Sequence, residues 1–357
     1  MIDFLVIGGG IAGLSAGARL SAHGRVTVIE AEDALGYHAS GRSAALFEEN
    51  YGPPSVVALN KAGAAYLRSA NGGYLTPRGL MLIGGRDQPQ QFQDDLATLN
   101  MQPISIEQAR SRVPILNPDT AAFAAISENA FDIDTDRLLQ DFARTIRANG
   151  GAVMTRQKVT EIRKSGHWIV KASDEFEART LVNAAGAWAD EVAAMAGIAP
   201  IGIVPRRRSM ARIPAPGGHD VTAWPMMIGA GERWYAKPDA GKLLVSPSEA
   251  EATTPHDAYA DDMVLAEGLA RYEEMVTEPV TRVETNWAGL RSFAPDGTLA
   301  LGPDPADPTF VWSAGQGGYG FQTAPAASQL VADLTVGTPV SLDPDCVAAL
   351  RVNRLRP

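Results

Sequence analysis

Three glycines, Gly8, Gly10 and Gly13, stand in the spacing G-x-G-x-x-G, and an acid, Glu30, follows about twenty residues later. Each position has a chemical reason. Gly8 permits a tight turn, Gly10 lets a pyrophosphate approach the backbone, and Gly13 lets a helix pack close to the strand before it. The carboxylate of Glu30, followed by Ala31, can accept hydrogen bonds from a ribose diol. The elements needed to position these groups are present in order. Residues 3–8 are an apolar run of strand length, suited to a parallel strand buried on both faces. A helix from about Ile11 to His23 aims the N–H groups of its first turn, at Ile11 and Ala12, toward phosphate, and Gly24 ends it. The run "RVTVIEA" is a second strand. NAD and FAD both present an ADP half to such a unit, so the motif alone does not choose between them.

Glycines and small residues that permit close backbone approach recur along the chain. "GYHASGRSAA" at residues 36–45 follows the second strand. "TLVNAAGAWADEV" runs a buried strand into Ala184, Ala185 and Gly186. "FVWSAGQGGYGFQT" repeats the opening logic with Gly315, Gly317 and Gly320. A nicotinamide enzyme usually needs only the first such segment. An extended cofactor touched along its length by distant segments explains all three, which favours FAD. Between them, residues 76–83 and 120–127 have the pattern of strands. Residues 134–149 form an amphipathic helix with Asp134 as N-cap and Leu138, Leu139, Phe142 and Ile146 on its apolar face. From residue 152 a strand, a turn at Ser165-Gly166 and another strand follow, and residues 205–285 are strand-rich with one helix near 261–276.

Composition narrows the function classes. The 357 residues suggest about two domains, and a net charge of −10 argues against a general nucleic-acid binder. No apolar run reaches the roughly 20 residues that span a bilayer. One cysteine, Cys346, excludes an internal disulfide and points to the cytoplasm. Five scattered histidines and a lone cysteine give no metal site.

The motifs "LVIGGGIAG", "GYHASGRSAA", "LVNAAGAW", "RRRS", "YAKPDAG", "NWAGLRSF" and "QGGYGFQT" are collinear over nearly the whole chain. Together they resemble the FAD-dependent amine and D-amino-acid oxidoreductases, the superfamily of D-amino-acid oxidase, glycine oxidase and sarcosine oxidase. Within it the chain most resembles the FAD-dependent D-arginine dehydrogenases. The resemblance implies an α/β fold: a Rossmann-type FAD-binding domain from residues 1–75, 140–204 and 286–357, and a mostly antiparallel substrate domain from 76–139 and 205–285. It implies that Arg208, Arg291, Tyr51 and Tyr235 clamp a substrate carboxylate, a task suited to bidentate guanidinium groups and fixed phenol donors. Gly289 and Gly318 take backbone positions near flavin and substrate. Arg42, Ser43 and Ala44 lie near the pyrophosphate and ribityl chain, and Val159 near the adenine. Ala185, Gly186 and Trp188, with Gly317, Tyr319, Gly320, Phe321 and Gln322, complete the cofactor contacts. Non-covalent FAD is expected, with His38 a minor candidate for attachment. Residues 46–53 are expected to be a mobile lid.

Two departures from the resembled enzymes bear on the substrate. Leu80 stands where they carry a glutamate that pairs with a guanidinium, and Leu46 stands where they carry a histidine. Those two leucines predict weak activity on D-arginine and D-lysine and a preference for neutral or apolar side chains, unless Glu48 or Glu49 supplies a carboxylate instead. The implied reaction oxidises a Cα–H bond of an amino acid to an imino acid, which water converts to a 2-oxo acid and ammonia. A dehydrogenase is favoured over an oxidase, with a quinone, an electron carrier or O2 as acceptor. An N-methyl or cyclic amino acid, a 2-hydroxy acid, or a non-catalytic flavoprotein are the alternatives.

Overall fold

A computed structural model describes residues 1–356. Two large sheets divide the work. The first has a parallel core in which Ile2–Ile7 lies between Val26–Ile29 and Glu175–Asn183, with Ala152–Met154 and Phe310–Ala314 extending it. Burial on both faces explains why Ile2–Ile7 reads as an unbroken apolar run, with Leu5 and Val6 fully inaccessible. Helix Ile11–Leu20 returns over this sheet, and Gly17 brings it close to Val28 and Ile146. Helix Thr135–Ala148 packs on it; Asp134 caps its start by accepting from the Arg137 N–H at 3.1 Å, and Leu138, Leu139, Phe142 and Ile146 are buried as expected. Helix Gly320–Val336 closes the same core.

The second sheet has nine strands and is antiparallel except where Leu80–Gly85 runs parallel to Met226–Gly229. Its longest pairing joins Val204–Ile213 to Thr285–Phe293 over nine residues. That pairing moves one expected boundary: Thr285–Phe293 belongs to the second sheet, and the return to the first comes with Ala300–Pro303 and Phe310–Ala314. Residues 76–83 are also not one strand. Gly79, at φ +75°, breaks the run, and the Arg78 and Gly79 N–H groups both donate to the Ala130 carbonyl. Leu75–Pro77 therefore pairs in a small third sheet with Phe131–Ile133 and leaves Leu80–Gly85 to the second. The segment after residue 152 gives three strands rather than two: Ala152–Met154, Glu161–Lys164 and Trp168–Lys171.

The C-terminal segment is fastened to the first sheet by a buried carboxylate. The Asp304 side chain is 0% exposed and accepts from Arg356 Nη2 at 2.5 Å and Trp312 Nε1 at 2.9 Å. Burial alone would raise its pKa, but the bonds from Arg356, Trp312 and the Ala306 N–H outweigh that and hold it below the usual carboxylate range. A depressed folded-state pKa contributes stability that is present above the unfolded value of about 3.9 and is lost as pH falls through the folded one. Arg356→Ala leaves this charge buried with two neutral donors but no counter-ion, which should cost on the order of 3 kcal/mol at neutral pH. The carboxyl then protonates more readily, so the gap in melting temperature between wild type and variant should narrow as pH is lowered toward 4. A gap that stays constant with pH would remove Asp304 as its origin.

Candidate active site

One cavity of about 580 Å³ is lined from both large sheets. At one end are Gly8, Gly10, Ile11 and Ala12 of the first strand–helix turn, Glu30 and Ala31 at the end of the second strand, and Val159. Gly8 has φ +113°, and a Cβ there would lie 2.3 Å from the Ala184 carbonyl oxygen. No acid occupies the first turn of the helix, so its N-terminal dipole is left for an anion. Glu30 accepts from the Gly9 N–H at 2.6 Å and holds the glycine turn in place. Ser40, a residue beyond those expected from the sequence, accepts from the Ile11 N–H at 3.0 Å; its signal is the small-residue run 36–45. A cradle too tight for side chains, beside an uncharged helix start, fits the phosphates and ribose of a dinucleotide.

Further along come Arg42, Ser43 and Ala44, Ala185, Gly186 and Trp188, Gly289, and Gly317, Gly318, Gly320, Phe321 and Gln322. Arg42 is less free than expected. It donates to the Tyr37, Ala258 and Ala288 carbonyls and pairs with Asp257 at 2.5 Å, so four of its five N–H groups are engaged by the protein. Two expected cofactor residues do not line the cavity. Gly13 acts from behind, where a Cβ would stand 1.9 Å from the Gly8 carbonyl oxygen. The Tyr319 ring packs on Tyr51 with centroids 5.5 Å apart. His38 Nε2 is 2.9 Å from Glu32, and its ring lies against Trp188. Cys346 is outside the lining, packed against the core of the first sheet.

The other end of the cavity gathers Arg208, Arg291, Tyr51 and Tyr235. The strand pairing explains how. Arg208 stands opposite Gly289, so Arg291, two residues on, is its diagonal neighbour on the same face. Gly318 gives Arg291 its seat, since a Cβ there would be 2.9 Å from Nη1. Neither arginine has a carboxylate within ion-pair distance among the described residues, and Arg208 Nε is buried without a partner. Burial, reinforced by Arg291, lowers the Arg208 pKa. Burial also acts to lower Arg291, but the Tyr51 and Tyr235 phenols and the Glu232 carboxylate outweigh it, and the net shift is upward. Burial raises the Tyr51 phenol, which stays protonated as a donor. Glu232 was not singled out from the sequence; it lines the cavity from a turn at φ +50°, placed there by the connection between Met226–Gly229 and Tyr235–Asp239.

Leu46 and Leu80 do line this end, joined by Met210, Met226 and Ile228 in one apolar wall. Those three were also missed, although 208 and 210, and 226 and 228, alternate on one face of their strands. The wall is not purely apolar, because Glu48 lines it as well and is 3% exposed. Glu49 instead points to Arg68, 2.8 Å away. The segment expected to be a mobile lid is pinned. Asn60 Nδ2 donates to the carbonyls of Glu49 and Tyr51 at 3.2 Å each, and Gln322 Nε2 donates to that of Tyr51 at 3.1 Å.

Known proteins similar to this chain bear on its family and its fold. Residues 3–334 match the family described as DAO, FAD dependent oxidoreductase. A bovine protein named FAD-dependent oxidoreductase domain-containing protein 1 is 25% identical, over 94% of this chain and 81% of its own length. Glycine oxidase from Geobacillus kaustophilus superposes with a TM-score of 0.81 at 22% identity, covering 98% of each chain. L-Proline dehydrogenase from P. horikoshii gives 0.83 at 23% identity, covering 99% of this chain and 97% of the other.

Proposed function

The chain belongs to the FAD dependent oxidoreductase family, and from that premise we propose that it oxidises the Cα–H bond of an amino acid, most readily one of D configuration, and passes the electrons to an acceptor other than O2. One observation carries the substrate class. Arg208 and Arg291 converge, half-buried, on one end of the cavity with two tyrosines and no carboxylate in ion-pair reach among the described residues. A guanidinium partly withdrawn from water gains from a counter-ion, and a planar substrate carboxylate satisfies both at once. The D configuration rests on the resemblance of these positions to the D-amino-acid enzymes.

FAD, when bound, supplies the hydride acceptor. The glycine turn, Glu30 and the start of helix Ile11–Leu20 would hold its ADP half, and Ala185, Gly289, Gly317, Gly318, Gly320, Phe321 and Gln322 its other end. Arg208, Arg291, Tyr51 and Tyr235 fix the substrate carboxylate, which leaves Cα with one approach to the oxidant. Leu46, Leu80, Met210, Met226 and Ile228 take the aliphatic part of the side chain and exclude water there. The substrate amine must be neutral when hydride leaves, and no side chain of the cavity is assigned as its base.

The test is optical. Purified protein should show the two visible bands of oxidised flavin. Without oxygen, D-amino acids should bleach them faster than L-amino acids, sarcosine, proline or 2-hydroxy acids. Admitting air should restore the colour slowly, as a dehydrogenase requires. Bleaching by a 2-hydroxy acid in preference to every amino acid would overturn the substrate class, and fast recovery in air would make it an oxidase.

A further inference from the structure

Among the residues lining the cavity, the mechanism leaves one buried carboxyl unused. Glu48 follows strand Leu46–Phe47, lines the cavity, and is 3% exposed. Its Oε2 accepts from Ser127 Oγ at 3.1 Å, and its Oε1 from the Asn50 N–H at 3.2 Å and Asn50 Nδ2 at 3.3 Å. These donors are all neutral. No Lys, Arg or His approaches it within 4.0 Å among the described residues, although the surface carboxylate next to it, Glu49, has Arg68. Lys237, which might have served from the neighbouring strand, is committed to Asp132 and the Ala44 and Ala45 carbonyls. Burial pushes the Glu48 carboxyl up, against the hydrogen bonds that favour its charged form.

Its place in the wall is specific. Ser127, which holds it, is the cross-strand partner of Leu80. The carboxylate therefore sits beside the part of the wall that receives the side chain. It is not paired with the arginine clamp, since neither Arg208 nor Arg291 lies within ion-pair distance of it. This end of the cavity thus has two guanidinium groups with Glu232 near them, a stretch of Leu, Met and Ile, and a separate carboxylate, Glu48, in that stretch.

We infer that Glu48 is a specificity-determining residue that selects substrates whose side chain ends in a cation, with the α-carboxylate on the arginines and an aliphatic stem between. This rests on the clamp reading above and deepens it. It reverses the preference expected from Leu46 and Leu80 alone: the carboxylate comes from residue 48. A buried carboxylate held only by neutral donors gains most from a positively charged partner, and a neutral side-chain tip leaves it uncompensated.

Ligands that cannot be oxidised separate the two readings. In the FAD-loaded protein, 6-aminohexanoate and hexanoate differ only by the terminal ammonium, and both lack an α-amine. Titration followed by perturbation of the flavin spectrum should give 6-aminohexanoate at least about tenfold tighter binding than hexanoate. Glu48→Gln, isosteric and able to keep the Ser127 bond, should reduce that preference to about twofold or less while hexanoate affinity stays the same. In turnover, D-lysine should exceed D-norleucine in kcat/KM by a similar factor, and the variant should lose it. Equal binding of the two acids, or a preference that survives in Glu48→Gln, would overturn the role of Glu48 and leave the clamp standing. Failure of both acids to bind would overturn the clamp, and this inference with it.

Discussion

Arg291→Ala should lower kcat/KM for an amino acid by about 10²–10³-fold, mostly through a higher KM, while the protein keeps its flavin. The scale is that of removing one partner from a buried charge-assisted contact, about 2–5 kcal/mol. Several features put Arg291 at the high end among the cavity residues. It lies on Thr285–Phe293, a strand paired over nine residues to Val204–Ile213, so its base does not move. Its guanidinium rests against Gly318, where a Cβ would be 2.9 Å from Nη1, so its tip has one seat. Tyr51, Tyr235 and Glu232 favour its charged form. Arg208 cannot replace it, being on the other strand with Nε already unpartnered. Arg291→Lys retains the charge but not the planar fork, and should recover only a small part of the loss. An internal control distinguishes a carboxylate clamp from a general defect. The amine that corresponds to the best substrate without its carboxylate should be a poor substrate of the wild type and no poorer for the variant. A KM unchanged in Arg291→Ala would remove the residue from the clamp.

What the sequence disclosed about this site follows the range of the interactions that build it. The strand, glycine turn, helix and acid from Ile2 to Glu30 are local, and each residue announces its task by its own chemistry. The same holds for Asp134 and the apolar stripe of Thr135–Ala148. Arg208 and Arg291 are different. Nothing near either one in sequence marks it as a ligand, and only a pairing between strands some eighty residues apart makes them neighbours; only their resemblance to family positions singles them out. Glu232 and Met226 depend on where one connection of the second sheet turns, which no local pattern fixes. Glu48 is the instructive case. From the sequence it could be a surface acid like Glu49 or a member of the cavity wall. The choice is made by Ser127 and by the path of residues 48–51 under Asn60, contacts that reach across nearly eighty and more than ten positions respectively. The expected domain boundary at residue 286 differs from the sheet pairing for the same reason: the apolar pattern of Thr285–Phe293 suits either sheet, and its partner decides.

Gly13→Ala should abolish FAD retention, raising the dissociation constant at least about 100-fold or preventing folding altogether, although it adds one methyl group that never touches the cofactor. The added Cβ would lie 1.9 Å from the Gly8 carbonyl oxygen and 3.1 Å from its carbon. Neither is the end of a flexible side chain. To relieve the contact, helix Ile11–Leu20 must lift from the strand or Gly8 must turn. Gly8 is held at φ +113° against Ala184, and its N–H bonds the Ile29 carbonyl at 2.9 Å. Either movement displaces the N–H groups that would meet the pyrophosphate, and overpacking of this kind typically costs about 1–3 kcal/mol even where neighbours can adjust. Gly17→Ala, one turn along the same helix, supplies the contrast. Its Cβ would meet Val28 Cγ2 at 3.0 Å and Ile146 Cδ1 at 3.1 Å, both methyl groups that can yield by a rotamer adjustment. That variant should keep its flavin and lose only a few degrees of melting temperature, about what 1 kcal/mol removes from a domain of this size. Flavin content after purification, the FAD binding isotherm of the stripped protein and a thermal melt read all three quantities. If Gly13→Ala binds FAD as the wild type does, the close approach of helix to strand is not what forms the phosphate site. If Gly17→Ala loses FAD as completely, the whole helix face, rather than the one contact at Gly8, sets the position of the helix start.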